Sequence, residues 1–395
     1  MLLIIIILKG IILISITLKG LKLSNVVNPF YYGNEVHNDD FCNRVNELNE
    51  LKSDVLSGLN VLIYAPRRFG KTSLLKKLQD ELSPQNDFII IYFDIFTVSS
   101  IDEFIQKYFN LLAKNFESTT DKIINLFKNI LKIRPNITMK LSSHSDISYG
   151  LALSKKEESS TLEEVLNLPY LYAKKFNKKV VVIFDEFQEI EALDIEKKLR
   201  SVIQSHSRDV SYLFSGSKKS MLREMFNDQK RAFYKSVKHL KIDAIQEQDW
   251  IKFIDNKFSN SAKKIESDLI KKCFFITQGY PYYMQQLMYF VWSYTENEVD
   301  EKIVQNSIDM MLERESDIYS LVWTNLTPNQ KITLKYIVEK DGETLYSNAN
   351  MNETSLSAST LKSTLSSLIK KDIIDKNSEK YYVIDPFMKY WLQNV

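Results

Sequence analysis

The sequence predicts an α/β fold: a parallel sheet covered by helices on both faces, followed by a helical unit and a small unit of helices and two short strands. Three observations predict it. Apolar runs of strand length at 88–94, 179–185 and 210–215 alternate with segments of helical periodicity. Each run is apolar at successive positions, as a strand buried between two helical layers must be. No such run follows Asp243, where aromatic stripes at helical spacing take over (Trp250, Phe253 and Phe258; Tyr289, Val291 and Trp292).

The elements follow in order. Residues 1–18 hold 14 aliphatic residues or Met, interrupted by Lys9 and Gly10. That is short of the ~20 apolar residues of a spanning helix, but rich enough that a membrane anchor stays open beside an extension without function. A secretory signal fits poorly, because no basic stretch precedes the apolar run and no small-residue cleavage site follows it. A helix is expected from Phe41, with apolar positions Val45, Leu48, Leu51 and Val55. A strand at 60–65, a short loop and a helix from Lys71 to Leu82 come next, then the strand at 88–94 and a helix at about 100–115. Alternation at 137–154 reads as a β-hairpin insertion. A helix at about 161–176 leads to the strand at 179–185, a helix at 192–206 to the strand at 210–215, and a last strand lies near 237–242. Residues 326–395 give a helix at about 328–340, a Ser/Asn-rich stretch, a helix at about 357–371 and short strands at 372–375 and 381–384, an order that resembles a winged helix. The expected units are therefore 1–27, 28–243, 244–325 and 326–395.

Composition excludes several classes. Lys+Arg 52 against Asp+Glu 50 leaves no global polyanion-binding field. Nine glycines and eight prolines among 395 residues rule out collagen-like and linker-rich chains. Two cysteines, Cys42 and Cys273, make neither a disulfide framework nor a Cys-based zinc site. The balance is that of a reduced, cytoplasmic, mixed α/β protein.

The most informative segment is Ala65-Pro66-Arg67-Arg68-Phe69-Gly70-Lys71-Thr72-Ser73. It meets the pattern G-x-x-x-x-G-K-[ST] except at Ala65. After a buried strand, such a loop wraps its backbone N–H groups around phosphate oxygens, and the following helix adds its own unpaired N–H donors. Gly70 allows close approach, Lys71 reaches the β- and γ-phosphates, and the Thr72 hydroxyl binds Mg²⁺. Two of only nine arginines lie in this loop. Arg67 and Arg68 can contact phosphate or pair with nearby acids. Arg44 can touch the nucleotide or cap a helix.

The strand at 179–185 ends in Asp185-Glu186. Ligands bind at the carboxyl edge of a parallel sheet. There Asp185 would complete the Mg²⁺ shell and Glu186 would act as general base toward water. The strand ending Phe214-Ser215-Gly216-Ser217 would set a hydroxyl, Ser215 or Ser217, beside the γ-phosphate. A strand between loop and acid pair, and a Glu directly after the Asp, resemble the additional-strand, catalytic-glutamate division of P-loop NTPases. Asn256-Lys257-Phe258-Ser259 lacks the Asp of a guanine-reading motif, so ATP is favoured over GTP.

From Asn28 onward the chain resembles the archaeal-type ATPases of the STAND class and their bacterial relatives. The resemblance is carried by Asn28-Pro29-Phe30, Phe41 to Leu48 with Arg44 and Glu47, the double-arginine loop, Leu199 to Gln204, Phe214 to Ser217, Met225-Phe226 with Arg231 to Ser236, Gly279-Tyr280-Pro281-Tyr282, and Val383 to Phe387 with Trp391-Leu392. Ala232 replaces the usual Pro, and Lys235-Ser236 stand where relatives have Gly-Arg. The resemblance implies a slow, ATP-driven conformational switch built from a nucleotide domain, a helical lid and a winged helix. It places Gly279 and Pro281 at the start of a lid helix near the nucleotide, and its output is a changed interaction with a protein partner. A scaffold that binds nucleotide without turnover is the other form of this reading. A DNA-binding winged helix is the alternative. Residues 326–395 hold nine lysines, no arginine and eight acids, a thin footprint for nucleic acid, so packing or a protein partner is the expected use.

Overall fold

The computed structural model describes residues 27–36, 40–116, 136–141, 147–152, 158–206, 208–217, 219–347, 353–377 and 380–393. The apolar segment 1–24 lies outside them, and among the described residues no helix is long and apolar enough to cross a membrane.

Helix α1 (Val45–Leu56) leads into β1 (Val61–Tyr64), α2 (Lys71–Leu82), β2 (Phe88–Asp94) and α3 (Ile101–Phe116). An antiparallel hairpin, β3 (Asn136–Leu141) with β4 (Ile147–Ala152), interrupts the alternation as expected. It resumes with α4 (Glu158–Phe176), β5 (Lys179–Asp185), a 3₁₀ segment (Phe187–Leu193), α5 (Glu196–Ser205), β6 (Val210–Gly216), α6 (Lys219–Asn227) and β7 (Lys238–Lys241). Five strands form one sheet in the order β2-β5-β6-β1-β7, every pairing parallel.

Period-two alternation sends successive apolar residues of β1, β2, β5 and β6 to both faces of the sheet, whereas edge strand β7 buries only Leu240. On one face Leu62, Phe93, Phe184, Tyr212 and Phe214 pack with α3, α4 and α5. On the other, Ile63, Ile90, Ile183 and Leu213 pack with α1 and α2. That second core runs on without a break into the helical unit, α7 (Glu247–Asn260), α8 (Ser267–Thr277), α9 (Pro281–Tyr294) and α10 (Glu301–Thr324). It also takes in the C-terminal unit, α11 (Pro328–Glu339), α12 (Ala358–Lys370), β8 (Ile374–Asn377), β9 (Lys380–Val383) and α13 (Pro386–Leu392), in which β8 and β9 pair antiparallel as the wing. Side-chain caps start four of these helices: Asp300 for α10, a Thr327–Gln330 capping box for α11, Ser357 for α12 and Asp385 for α13.

Two boundaries differ from the sequence expectation. The helix expected from Phe41 begins at Val45, because Asn43 and Arg44 take left-handed backbone (φ 52° and 70°), and Val45 is exposed. The helix expected over 192–206 is two segments, divided where Asp194 turns left-handed (φ 51°).

Phe184 is fully buried in the central layer and stacks on Tyr212 and Phe214. Phe184→Ala is expected to cost about 3–5 kcal/mol, read as a shift of the urea unfolding midpoint.

Candidate functional site

The loop after β1 is shaped by its own lysine. Gly70 holds φ 80°, ψ 25° at the start of α2. A Cβ there would meet nothing within 4 Å, so the left-handed backbone, rather than space, calls for glycine. The Lys71 ammonium folds back and donates to the Ala65 carbonyl (2.9 Å) and the Pro66 carbonyl (3.1 Å). Burial pushes its pKa down to about 8, against the opposing pull of Glu186 and Asp185.

Side chains from three other places brace this loop. Arg44, buried and paired with Glu47 at 2.8 Å, donates to the Phe69 carbonyl at 3.3 Å. The Phe69 ring meets Tyr280 edge-on at 4.2 Å. Arg68 (φ 70°) lies over the rings of Tyr282 and Tyr283, donates to the Tyr283 hydroxyl and sits 3.5 Å from Asp385. Of the two readings for Arg44, the side chain supports the loop and makes no helix-cap hydrogen bond. Arg68 pairs with an acid, whereas Arg67 faces the cavity.

The acid pair meets the loop from across the sheet. Thr72 Oγ1 donates to Asp185 Oδ2 at 3.2 Å, and the Tyr92 hydroxyl donates to the same oxygen. The Glu186 N–H donates to Asp185 Oδ1 at 3.0 Å. Glu186 takes a left-handed backbone (φ 50°), which turns its carboxylate toward Ser217 Oγ (3.0 Å) and the Gln188 amide. Gly216 makes room for this: a Cβ there would lie 2.1 Å from Gln188 Oε1. Beside them Asp94 is pushed above the usual carboxylate range by burial and by the charges of Asp185 and Glu186.

The donor set suits Mg²⁺. Among the described residues there is no group of three or more His, Cys, Asp or Glu that could hold a metal ion. One hydroxyl and one carboxylate in contact leave the remaining positions of an octahedral shell to phosphate oxygens and water, which is how Mg²⁺ is commonly bound.

A cavity of about 630 Å³ joins these groups, a size typical of ligand sites. Arg67, Gly70, Lys71, Thr72, Glu186 and Ser217 line it. So do Phe41, Cys42, Ile245, Trp250, Pro281 and Gln285. Phe69, Arg68 and Ser73 also border it, and Ser73 Oγ accepts from the Val36 N–H at 3.2 Å. Ala65 and Pro66 contribute carbonyls to Lys71, and Asp185 reaches the site through Thr72. Gly279 does not line the cavity. It holds φ 70°, a Cβ would lie 2.7 Å from the Ile245 carbonyl, and its own carbonyl accepts from Trp250 Nε1 at 3.2 Å. Ser215 is fully buried, its Oγ has no hydrogen-bond partner among the described residues, and it does not line the cavity; Ser217 does.

Sequence reasoning missed Tyr92, Asp94, Gln188 and the segment 31–36. One signal for Asp94 was available: Phe93-Asp94 ends an apolar strand as Phe184-Asp185 does, and the two aspartates pair in register. Arg231, in the segment where relatives carry a further arginine, is held by Glu196 and Glu191.

Gly216→Ala is expected to push out Gln188 and cost about 1–3 kcal/mol. Thermal unfolding of Gly216→Ala, Gln188→Ala and the double variant checks this, since the two losses should not add.

Comparison with known proteins agrees with the geometry. The model of an ATPase domain predominantly from Archaea matches residues 41–287, and that of a winged-helix domain matches residues 317–394. An uncharacterized ATP-binding protein of Methanocaldococcus jannaschii is 27% identical over 157 residues, 39% of each chain. A second from the same organism is 29% identical over 196 residues, 47% of this chain and 48% of that protein. The chain thus spans about half the length of these curated relatives or less. Among solved structures, the Walker-type ATPase PABY2304 of Pyrococcus abyssi superposes with a TM-score of 0.60 at 15% identity, covering 91% of this chain and 98% of that one. The ORC2 protein of Aeropyrum pernix, solved as ADPNP-ADP complexes, superposes at 0.53 with 13% identity, covering 92% and 95%. At such identities these two likenesses establish the fold, a five-stranded parallel P-loop sheet followed by helices and a winged helix. The matched sequence, more than half of the chain, gives the rest: this protein belongs to the family of ATPase domains found predominantly in Archaea.

Proposed function

We propose that the protein binds Mg²⁺-ATP in this cavity, hydrolyses it slowly, and uses the change to alter its contact with a protein partner. The observation that carries the reading is the Thr72–Asp185 contact at 3.2 Å, with Lys71 curled beneath it and Glu186 alongside. Backbone N–H groups of 66–71 and the start of α2 would cradle the phosphates. The Lys71 ammonium would leave the Ala65 and Pro66 carbonyls for the β- and γ-phosphate oxygens. Thr72 and Asp185 would hold Mg²⁺, which supplies charge neutralisation at the phosphates. Glu186 would orient the attacking water and accept its proton, and Ser217, already bonded to Glu186, would sense the γ-phosphate; Ser215 lies two residues before it, inside β6.

A switch needs an element that touches both the phosphates and the moving parts. The loop does so. Phe69 reaches Tyr280 at the start of the lid helix, and Arg68 reaches Tyr283 and the winged-helix Asp385. This supports a working division into an ATPase unit (28–243), a lid (244–325) and a winged helix (326–395), with Gly279 and Pro281 at the hinge. The partner that receives the signal is taken to be a cytoplasmic protein, since the winged helix has little net charge with which to hold nucleic acid.

Titration calorimetry and phosphate release test the assignment. Lys71→Ala should abolish ATP binding. Glu186→Gln should bind ATP as tightly as the parent and release phosphate at least ~100-fold more slowly. Full turnover by Glu186→Gln would remove it from its role. A pH series adds a second check. Free Lys71 loses its proton as pH rises through about 8, and the triphosphate binds the protonated form. ATP affinity should therefore hold steady below pH 8 and fall by up to about tenfold per unit above it. In Lys71→Arg, whose charge persists, that fall should vanish.

A further inference from the structure

We propose that Tyr92 is a positioning residue for the metal: its hydroxyl holds the Asp185 carboxylate in place while Thr72 turns its own oxygen to Mg²⁺. The inference deepens the ATP reading of the cavity and rests on it. Tyr92 does not line the cavity; it acts through Asp185.

Asp185 is 5% exposed, so its carboxylate relies on the protein for hydrogen-bond donors. Oδ1 accepts from the Glu186 N–H, and Oδ2 accepts from the hydroxyls of both Thr72 and Tyr92. A hydroxyl has one hydrogen and two lone pairs. A metal needs the lone pairs of Thr72, and the hydroxyl must turn to present them. With Thr72 as its sole donor, Oδ2 would be a buried charged acceptor left bare at each turn, which is costly. Tyr92 keeps that oxygen bonded whichever way Thr72 points.

The fold aims Tyr92 from two sides. The residue packs with the core that α1 and α2 build on one face of the sheet. In register it pairs with Ile183, two residues before Asp185, so the phenol runs along the strands to reach the acid at the sheet edge. The Lys76 ammonium sits 3.9 Å over its ring. Lys76 follows Thr72 by one turn of α2, so one helix face holds the ring and delivers the other hydroxyl to Asp185. Tyr92 is also the one polar residue of β2 before Asp94, and a phenylalanine would fill the same place. The other acids beside the loop are held differently: Glu186 accepts from Ser217 and Gln188, and Asp94 from the Phe96 N–H. The tyrosine contact belongs to the carboxylate that faces Thr72.

Residues that orient a metal's ligands are commonly worth about 10–100-fold in metal affinity. The test uses the full chain and Tyr92→Phe, which keeps the ring and removes only the hydroxyl. ATP affinity is measured by titration calorimetry with Mg²⁺ and with a chelator. In chelator the variant should bind ATP within about twofold of the wild type, and its Mg²⁺ response, about tenfold or more in the wild type, should fall to within about threefold. In an Asp185→Asn background, adding Tyr92→Phe should change neither affinity by more than about twofold, because the hydroxyl acts through that carboxylate. A full Mg²⁺ response in Tyr92→Phe, or a further loss in the Asp185→Asn background as large as in the parent, would overturn the assignment of Tyr92 alone. So would an equal loss of affinity with and without Mg²⁺, the mark of a hydroxyl that serves the fold. Wild-type protein that binds ATP without a Mg²⁺ response, or does not bind it, would overturn the reading of the site and this inference with it.

Discussion

The site depends on two side chains whose strands do not touch. Strand β6 separates β1 from β5, so the strand axes that deliver Thr72 and Asp185 stand about 9–10 Å apart. Their oxygens nevertheless meet at 3.2 Å. The contact is possible because the loop turns over the sheet edge at Gly70 and starts α2 above it. Parallel register supplies the rest. Tyr64 pairs with Gly216 and Phe184 with Phe214, so β1, β6 and β5 end nearly level. A Cβ at Gly216 would collide with Gln188, the residue that helps orient Glu186. Loop, acid pair and serine turn thus form a single arrangement, and a change in one is felt by the others.

The same loop carries the link to the rest of the chain. Its arginine and phenylalanine face away from the acid pair and grip the start of α9 and the cap of α13. The Arg68–Asp385 pair is partly exposed and long at 3.5 Å, so its charge attraction adds little. The stacking of the guanidinium on Tyr282 and Tyr283 is the stronger part. Asp385 has a second duty, accepting from the N–H groups of Phe387 and Met388 to start α13. The loop is therefore tied to the end of the winged-helix unit through a residue that also holds that unit together.

Much of this was legible in the residues. Strands buried on both faces announce themselves as apolar runs, so β1, β2, β5 and β6 were found near their true limits; β7, with only Leu240 buried, carries no such run. The turn from Gly70 into Lys71 could be read because glycine is scarce and the loop chemistry is local. Features set by tertiary contact were not legible. Nothing in Phe41 to Arg44 says that the helix waits until Val45, since the left-handed backbone at Asn43 and Arg44 is imposed by docking of this segment on Asp249 and the phosphate loop. Alternation along β6 sets Ser215 in the sheet interior and leaves Ser217, past the strand end, beside Glu186. The sequence order of strands likewise hides their spatial order: β2 precedes the acidic strand in the chain, yet it lies at the sheet edge and β6 takes the place between loop and acid. The rest of the cavity lining draws on residues 31–36 and 40–42, Trp250 and Gln285, which lie far apart in the chain and share no motif.

In the proposed function Thr72 and Asp185 together hold the metal that accompanies the triphosphate. Measuring ATP affinity with Mg²⁺ and with a chelator, in the wild type, Thr72→Ala and Asp185→Asn, tests it most directly. The account predicts that Mg²⁺ tightens ATP binding about tenfold or more in the wild type and by less than about twofold in either variant. A full Mg²⁺ response in Asp185→Asn would contradict it.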